Sequence, residues 1–164
     1  MTARNFSKRE TMRSSIPKVV GILMIIFASL GLIGGLIGLA GNAANEGLKE
    51  LPEFKTYMTM NLVYTVVGLG ISGLHLFAGV RAIGYKANAP KLAMMYGATN
   101  IIVSIAWGAV VFAWLKPAIE KAAGGMGAAV VGFGVMFGVI ISVAWPIIVL
   151  SLMSRPAAKA ACVN

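Results

Sequence analysis

Aspartate is absent from this 164-residue chain, and five glutamates, one histidine and one cysteine stand beside fourteen lysines and arginines. These shortages exclude much chemistry. A single cysteine, Cys162, permits no intramolecular disulfide and no cysteine-based metal cluster. With only Val163 and Asn164 after it, it also lacks the fourth-from-last position that prenylation needs, and a tail cysteine without a role is expected. Metal sites draw on several His, Cys or carboxylate ligands, which the apolar stretches do not contain. G-x-S-x-G, H-E-x-x-H and a phosphate-cradling glycine loop followed by Lys-Ser/Thr are all missing. The expectation is therefore a protein that is not an enzyme and that holds no cofactor.

Charge is scarce overall. Charged residues make up 12% of the chain against 59% hydrophobic, where a soluble domain carries roughly 25% charged, and the mean hydropathy is +0.86. A bilayer core about 30 Å thick is crossed by about 20 apolar residues in a helix. Four such stretches occur, at about 19–41, 58–80, 92–115 and 128–153, and they predict an all-α membrane protein with four transmembrane helices in a compact bundle. The first stretch ends in small residues of the kind a signal peptidase cleaves behind, but its apolar core exceeds the usual signal-peptide length of about 7–15 residues. It is read as a true span. Residues 1–18 then form a basic N-terminal segment, 19–153 the membrane domain, and 154–164 a short tail.

The formal charge of +9 points away from nucleic acid once its distribution is seen. Arg4, Lys8, Arg9, Arg13, Lys18, Arg81, Lys86, Lys91, Arg155 and Lys159 fall on one side of the four spans, and only Lys49, Lys55, Lys116 and Lys121 on the other. The positive-inside rule places both termini in the cytoplasm. Glu46, Glu50, Glu53 and Glu120 lie in the two outer loops, which leaves Glu10 as the sole acid of a basic inner face suited to anionic lipid headgroups. In the first outer loop a turn or two of surface helix is expected over Glu46–Leu51, ended by Pro52. The second, KPAIEKAAGGMG, is expected to be a loop with a helix start at Pro117.

Lipid gives one helix no hydrophobic reason to join another, so association depends on close packing of small residues and on interhelical hydrogen bonds. Gly21, Met24, Ala28, Gly31, Gly35, Gly38 and Asn42 step by three and four along the first span, a period of 3.5 that marks a left-handed packing seam. In the second span Asn61, Thr65, Gly68, Ser72, His75 and Gly79 do the same. Asn100, Ser104 and Gly108 in the third and Gly134, Gly138 and Ser142 in the fourth complete one inward face per helix. Pro146 removes an amide donor and frees the carbonyl of Ser142, so a bend is expected there. Trp114, Trp145, Tyr57, Tyr85 and Tyr96 fit interfacial aromatic belts, whereas Trp107 is placed to pack against a neighbour.

His75, in GLGISGLHLFAGV, is the one histidine of the chain and lies inside a span that holds no Lys, Arg, Asp or Glu; intramembrane residues of this kind are functional candidates. Its neutral form needs only hydrogen bonds, which makes it a packing residue in the leading reading. A chlorophyll-type pigment needs one axial ligand and a flat face, both present here; haem with two axial histidines needs a second subunit. The opening IPKVVGILMIIFASLGLIGGLIGLAG resembles the first span of many small four-helix bacterial membrane proteins. That resemblance assigns no family and carries no function; the expected location is a bacterial inner membrane, crossed several times. The leading expectation is a non-enzymatic structural or accessory subunit packing with other membrane subunits or with itself. A pigment- or haem-binding subunit using His75, and a small homo-oligomeric channel or carrier, are the alternatives.

Overall fold

Residues 14–44 and 52–163 are described by a computed structural model in which no strand occurs among the described residues. Helix α1 covers Ile16–Ala44, α2 Pro52–Ile83 and α3 Ala89–Val110. Five residues of π-helix, Val111–Leu115, join α3 to α4 at Lys116–Met153, and a short α5 follows at Pro156–Ala161. Four segments are long and apolar enough to cross a membrane: Ile16–Gly41, Phe54–Ile83, Ala89–Lys121 and Gly132–Met153. Residues 1–13 of the basic segment 1–18 and the expected surface turn at Glu46–Leu51 lie outside the described residues.

Two boundaries differ from expectation. Pro52 opens α2 six residues ahead of the expected span start at about 58, because a missing amide is harmless in a first helical turn. KPAIEKAAGGMG is helical where a loop was expected. Its alanines, lysines and glutamate are strong helix formers, and Pro117 again sits in a first turn. The chain still reverses here, since Gly97 meets Leu150, Gly108 meets Val139 and Gly132 meets Phe112. Those pairings require the turn to fall between Phe112 and Gly132. At the opposite end, α2 stops in a Schellman arrangement: the Lys86 amide donates to the Arg81 carbonyl and the Tyr85 amide to that of Ala82. The left-handed residue is Tyr85, at φ 52, not the adjacent Gly84.

Helices α1 and α2 are antiparallel and approach backbone to backbone. A Cβ at Gly21 would lie 2.7 Å from the Gly79 carbonyl oxygen, and one at Gly79 would lie 2.9 Å from that of Gly21. Farther along, a Cβ at Gly31 would lie 2.6 Å from Ser72 Oγ, one at Gly35 2.6 Å from Leu69, and one at Gly38 3.5 Å from Thr65. The glycines let α1 lie in the groove of α2 along most of its length. His75 on Tyr96 and Tyr64 on Trp107 make α2 and α3 antiparallel as well, so the four long helices run up, down, up and down.

Burial is uneven along the bundle. Val20, Met24, Ala78, Ala82, Ala89, Ala93, Val149 and Met153 form a dense core at the end that carries Lys18, Arg81, Lys86, Lys91, Arg155 and Lys159. The tail closes this end: Ala158 and Ala161 of α5 are buried, and Cys162 is 5% exposed within the core cluster. The expected role-less tail cysteine is thus a packing residue, because the helix begun by Pro156 turns its alanines onto the bundle. Beyond Ala28 no described residue of α1 is buried, and before Pro146 no described residue of α4 from Lys121 onward is buried. Toward the other end the two helices part, and the expected compact bundle is compact over only half its length.

Backbone contact at Gly21 and Gly79 leaves no room for a methyl group. Gly79→Ala should lower unfolding stability in detergent by about 1–3 kcal/mol, the usual consequence of overpacking. Gly34→Ala should be neutral or slightly stabilising, since nothing lies within 4 Å of a Cβ there and alanine is the better helix former. Thermal unfolding of the two variants beside the parent checks the contrast.

Candidate functional site

Where α1 and α4 part, a cleft of about 430 Å³ opens among all four long helices. Its floor is the α1–α2 seam at Gly31, Gly35, Gly38, Thr65, Gly68 and Ser72. Asn100 of α3 and Ile141 and Ser142 of α4 rise beside it, and Phe27, His75, Tyr96 and Trp145 close its inner end. A second cavity of about 230 Å³, lined by Ser104, Trp107, Gly138 and Val139, adjoins it. Tyr64 and Ser142 border both cavities.

The inner end is built from three side chains that fix one another. His75 is 4% exposed, and its Nε2 accepts the indole Nε1–H of Trp145 at 3.2 Å. A nitrogen that accepts leaves the proton on Nδ1, which defines a neutral imidazole of one tautomer, assigned from this hydrogen bond. Tyr96 stacks on the imidazole with centroids 3.8 Å apart and planes 10° from parallel, and Phe27 lies 4.8 Å from the Trp145 ring. Tyr96 and Trp145 were both expected in aromatic belts. Both turn inward instead, because His75 offers an acceptor and a flat face that an interfacial position lacks. Trp107 does pack against a neighbour, stacking on Tyr64 at 4.3 Å.

Above this cluster, Asn100 Nδ2 donates to the Ser142 carbonyl at 3.1 Å. That carbonyl is the one Pro146 strips of its intrahelical partner, and in an apolar interior an unmet carbonyl is unfavourable by roughly 1–3 kcal/mol. Asn100 therefore repairs a break in α4 from the neighbouring helix. The hydroxyls behave differently from the expected interhelical bonds. Thr65 Oγ1 donates to the Asn61 carbonyl one turn back, and Ser142 Oγ to that of Val139. Both stay within their own helix. Tyr64, Ser72, Tyr96 and Ser104 line the two cavities, and among the described residues none of their hydroxyls has a protein hydrogen-bond partner.

The proposed packing residues thus divide into two groups. Gly31, Gly35, Gly38, Thr65, Gly68 and Ser72 lie along the α1–α2 seam, with Asn61 one turn beyond Thr65, and Asn100 ties α3 to α4. Ser104 is buried beside the smaller cavity, and Gly138 borders the same cavity. A Cβ at Gly134 or Gly138 would meet nothing within 4 Å, so these two close no contact inside the chain. Residues that spacing did not single out, Tyr64, Tyr96 and Trp145, supply the aromatic walls. Among the described residues no group of three or more His, Cys, Asp or Glu comes together. At the charged end, the Arg81 guanidinium stands 5.5 Å over the Phe77 ring, with its Nε buried and unpaired. Comparison with protein families, curated proteins and solved structures finds no match, so the reading of this cleft rests on its own geometry.

The pairing of Asn100 with the Pro146 break is testable as a cycle. Asn100→Leu should reduce stability by about 1 kcal/mol. In a Pro146→Ala background, where residue 146 again donates to Ser142, the same substitution should have a much smaller effect. Unfolding of the four variants in one detergent gives the coupling.

Proposed function

We propose that this chain is a non-enzymatic integral membrane subunit, with its charged end in the cytoplasm of a bacterial inner membrane, that packs beside other membrane proteins or further copies of itself. The observation that carries this reading is the open face at Gly134 and Gly138. A G-x-x-x-G pair in an apolar helix permits close approach of another backbone, and among the described residues no other part of the chain comes within 4 Å of a Cβ at either position. The most reactive interior groups serve the architecture: His75 is held by Trp145 and Tyr96, and Asn100 by the Ser142 carbonyl. The end bearing Lys18, Arg81, Lys86, Lys91, Arg155 and Lys159 includes no acidic residue among those described, which favours contact with anionic headgroups there.

The two alternatives have less support. For a pigment or haem to be ligated by His75, the indole of Trp145 would have to leave Nε2, since Nδ1 carries the proton in this arrangement. For a channel, the layer of Met24, Ala78, Ala82, Val149 and Met153 beneath the cleft would have to open.

Extraction from native membranes in mild detergent should yield a defined complex or homo-oligomer. Gly134→Leu or Gly138→Leu should shift it to smaller species without lowering the melting temperature. A monodisperse, partnerless monomer for the parent chain would overturn the proposal.

A further inference from the structure

We propose that the cleft between α1 and α4 binds an uncharged, planar, lipid-soluble molecule with ring carbonyl oxygens, a ligand of the isoprenoid-quinone class. This goes beyond the subunit reading and does not depend on it.

Donors at the cleft point to a ligand that accepts hydrogen bonds. Ser72 and Tyr96 stand at its inner end beside His75, Tyr64 borders both cavities, and Ser104 lines the smaller one beside Trp107. All four hydroxyls lack a protein partner among the described residues. An O–H in apolar surroundings gains from an acceptor, and a ring with two carbonyls meets donors at either level.

Charge and shape narrow the class. Among the described residues no Lys, Arg, Asp or Glu lines either cavity, so a fatty-acid or phosphate anion would enter without a counter-charge, which burial strongly disfavours. Gly34 and Gly68, with nothing within 4 Å of a Cβ at either, leave open space along the cleft, and the rings of Phe27, Tyr96 and Trp145 close the inner end. A flat ring suits a space bounded this way, because aromatic faces favour offset stacking. The volume of about 430 Å³ falls within the range on the order of 300–1,000 Å³ typical of small-molecule sites.

The mouth decides how such a ligand arrives. It opens between α1 and α4, where Gly34 and Ile141 are exposed amid Ile33, Ile37, Phe137 and Ile140. A ring enters from the lipid phase through this apolar rim while its tail stays outside. The dense layer at the charged end leaves no matching entrance there.

The test uses the full chain in phosphatidylcholine nanodiscs, titrated with a short-tail 1,4-benzoquinone while tryptophan fluorescence is followed; Trp145 and Trp107 both line the cavities. Quenching should saturate. Gly34→Leu and Gly68→Leu place side chains into open cleft space, since nothing lies within 4 Å of either Cβ. Each should abolish the saturable component with the melting temperature unchanged or raised. Tyr64→Phe keeps the ring on Trp107 and should weaken binding several-fold. Linear quenching that is equal in the parent and in Gly34→Leu would overturn the proposal, as would a saturable component that survives both fillings. Should Gly34→Leu instead disperse an oligomer while the quinone never saturates, the cleft belongs to a partner helix and the proposal fails.

Discussion

The approach of Gly21 to Gly79 is the contact on which the rest of the bundle is arranged. In lipid, apolar side chains gain nothing by leaving one hydrocarbon for another, so helices adhere where their backbones come close enough for dense van der Waals contact. Here the carbonyl oxygen of each glycine occupies the space a methyl group on the other would need. With α1 seated against α2 at that level, Val20, Met24 and Ala28 face inward, and Val149 and Met153 of α4 complete a core without exposed side chains. The tail, ending in buried Cys162, packs against the same region. Everything at the charged end follows from this one approach.

The other half of the molecule shows what happens where no such contact joins α1 to α4. Two side-chain hydrogen bonds mark the transition. Trp145 to His75 fixes α4 against α2, and Asn100 to the Ser142 carbonyl fixes α3 against α4 just where Pro146 weakens the helix. Beyond them α1 continues along α2 through Gly31, Gly35 and Gly38, and α4 continues along α3, but the two hairpins diverge. The space between them is walled by small and hydroxyl-bearing residues. Facing hydrocarbon, the unpaired hydroxyls of Tyr64, Ser72, Tyr96 and Ser104 would be the groups of this wall with most to gain from an acceptor.

Much of this could be read from the spacing of residues, and the reasons for the remainder are physical. Four apolar stretches and their polarity of charge need only length and composition, and the helices extend past the expected spans by a turn or more, since apolarity marks the bilayer and not the end of helical hydrogen bonding. The period of 3.5 in Gly31, Gly35, Gly38, Thr65 and Ser72 coincides with the line along which α1 meets α2. The same spacing in Gly134 and Gly138 has no counterpart within the chain, because a periodicity defines a face without saying which helix covers it. Tyr96 and Trp145 were assigned to the interface by residue type. Their actual positions depend on His75 being within reach across the bundle, a relation between residues 21 and 70 positions apart that no local pattern encodes. The helical stretch after Pro117 was obscured by its glycines, while the alanines before them set the local conformation.

The central claim is a bundle sealed at its charged end and open in its other half. Carbene footprinting of the unmodified chain with a lipid-phase diazirine, read residue by residue by mass spectrometry, addresses it most directly. Strong labelling of Leu36, Ile37, Ile140 and Ile141, with Met24, Val149 and Met153 silent, is the predicted pattern. Labelling of Met24 and Met153 as heavy as that of Leu36 and Ile140 would contradict the account.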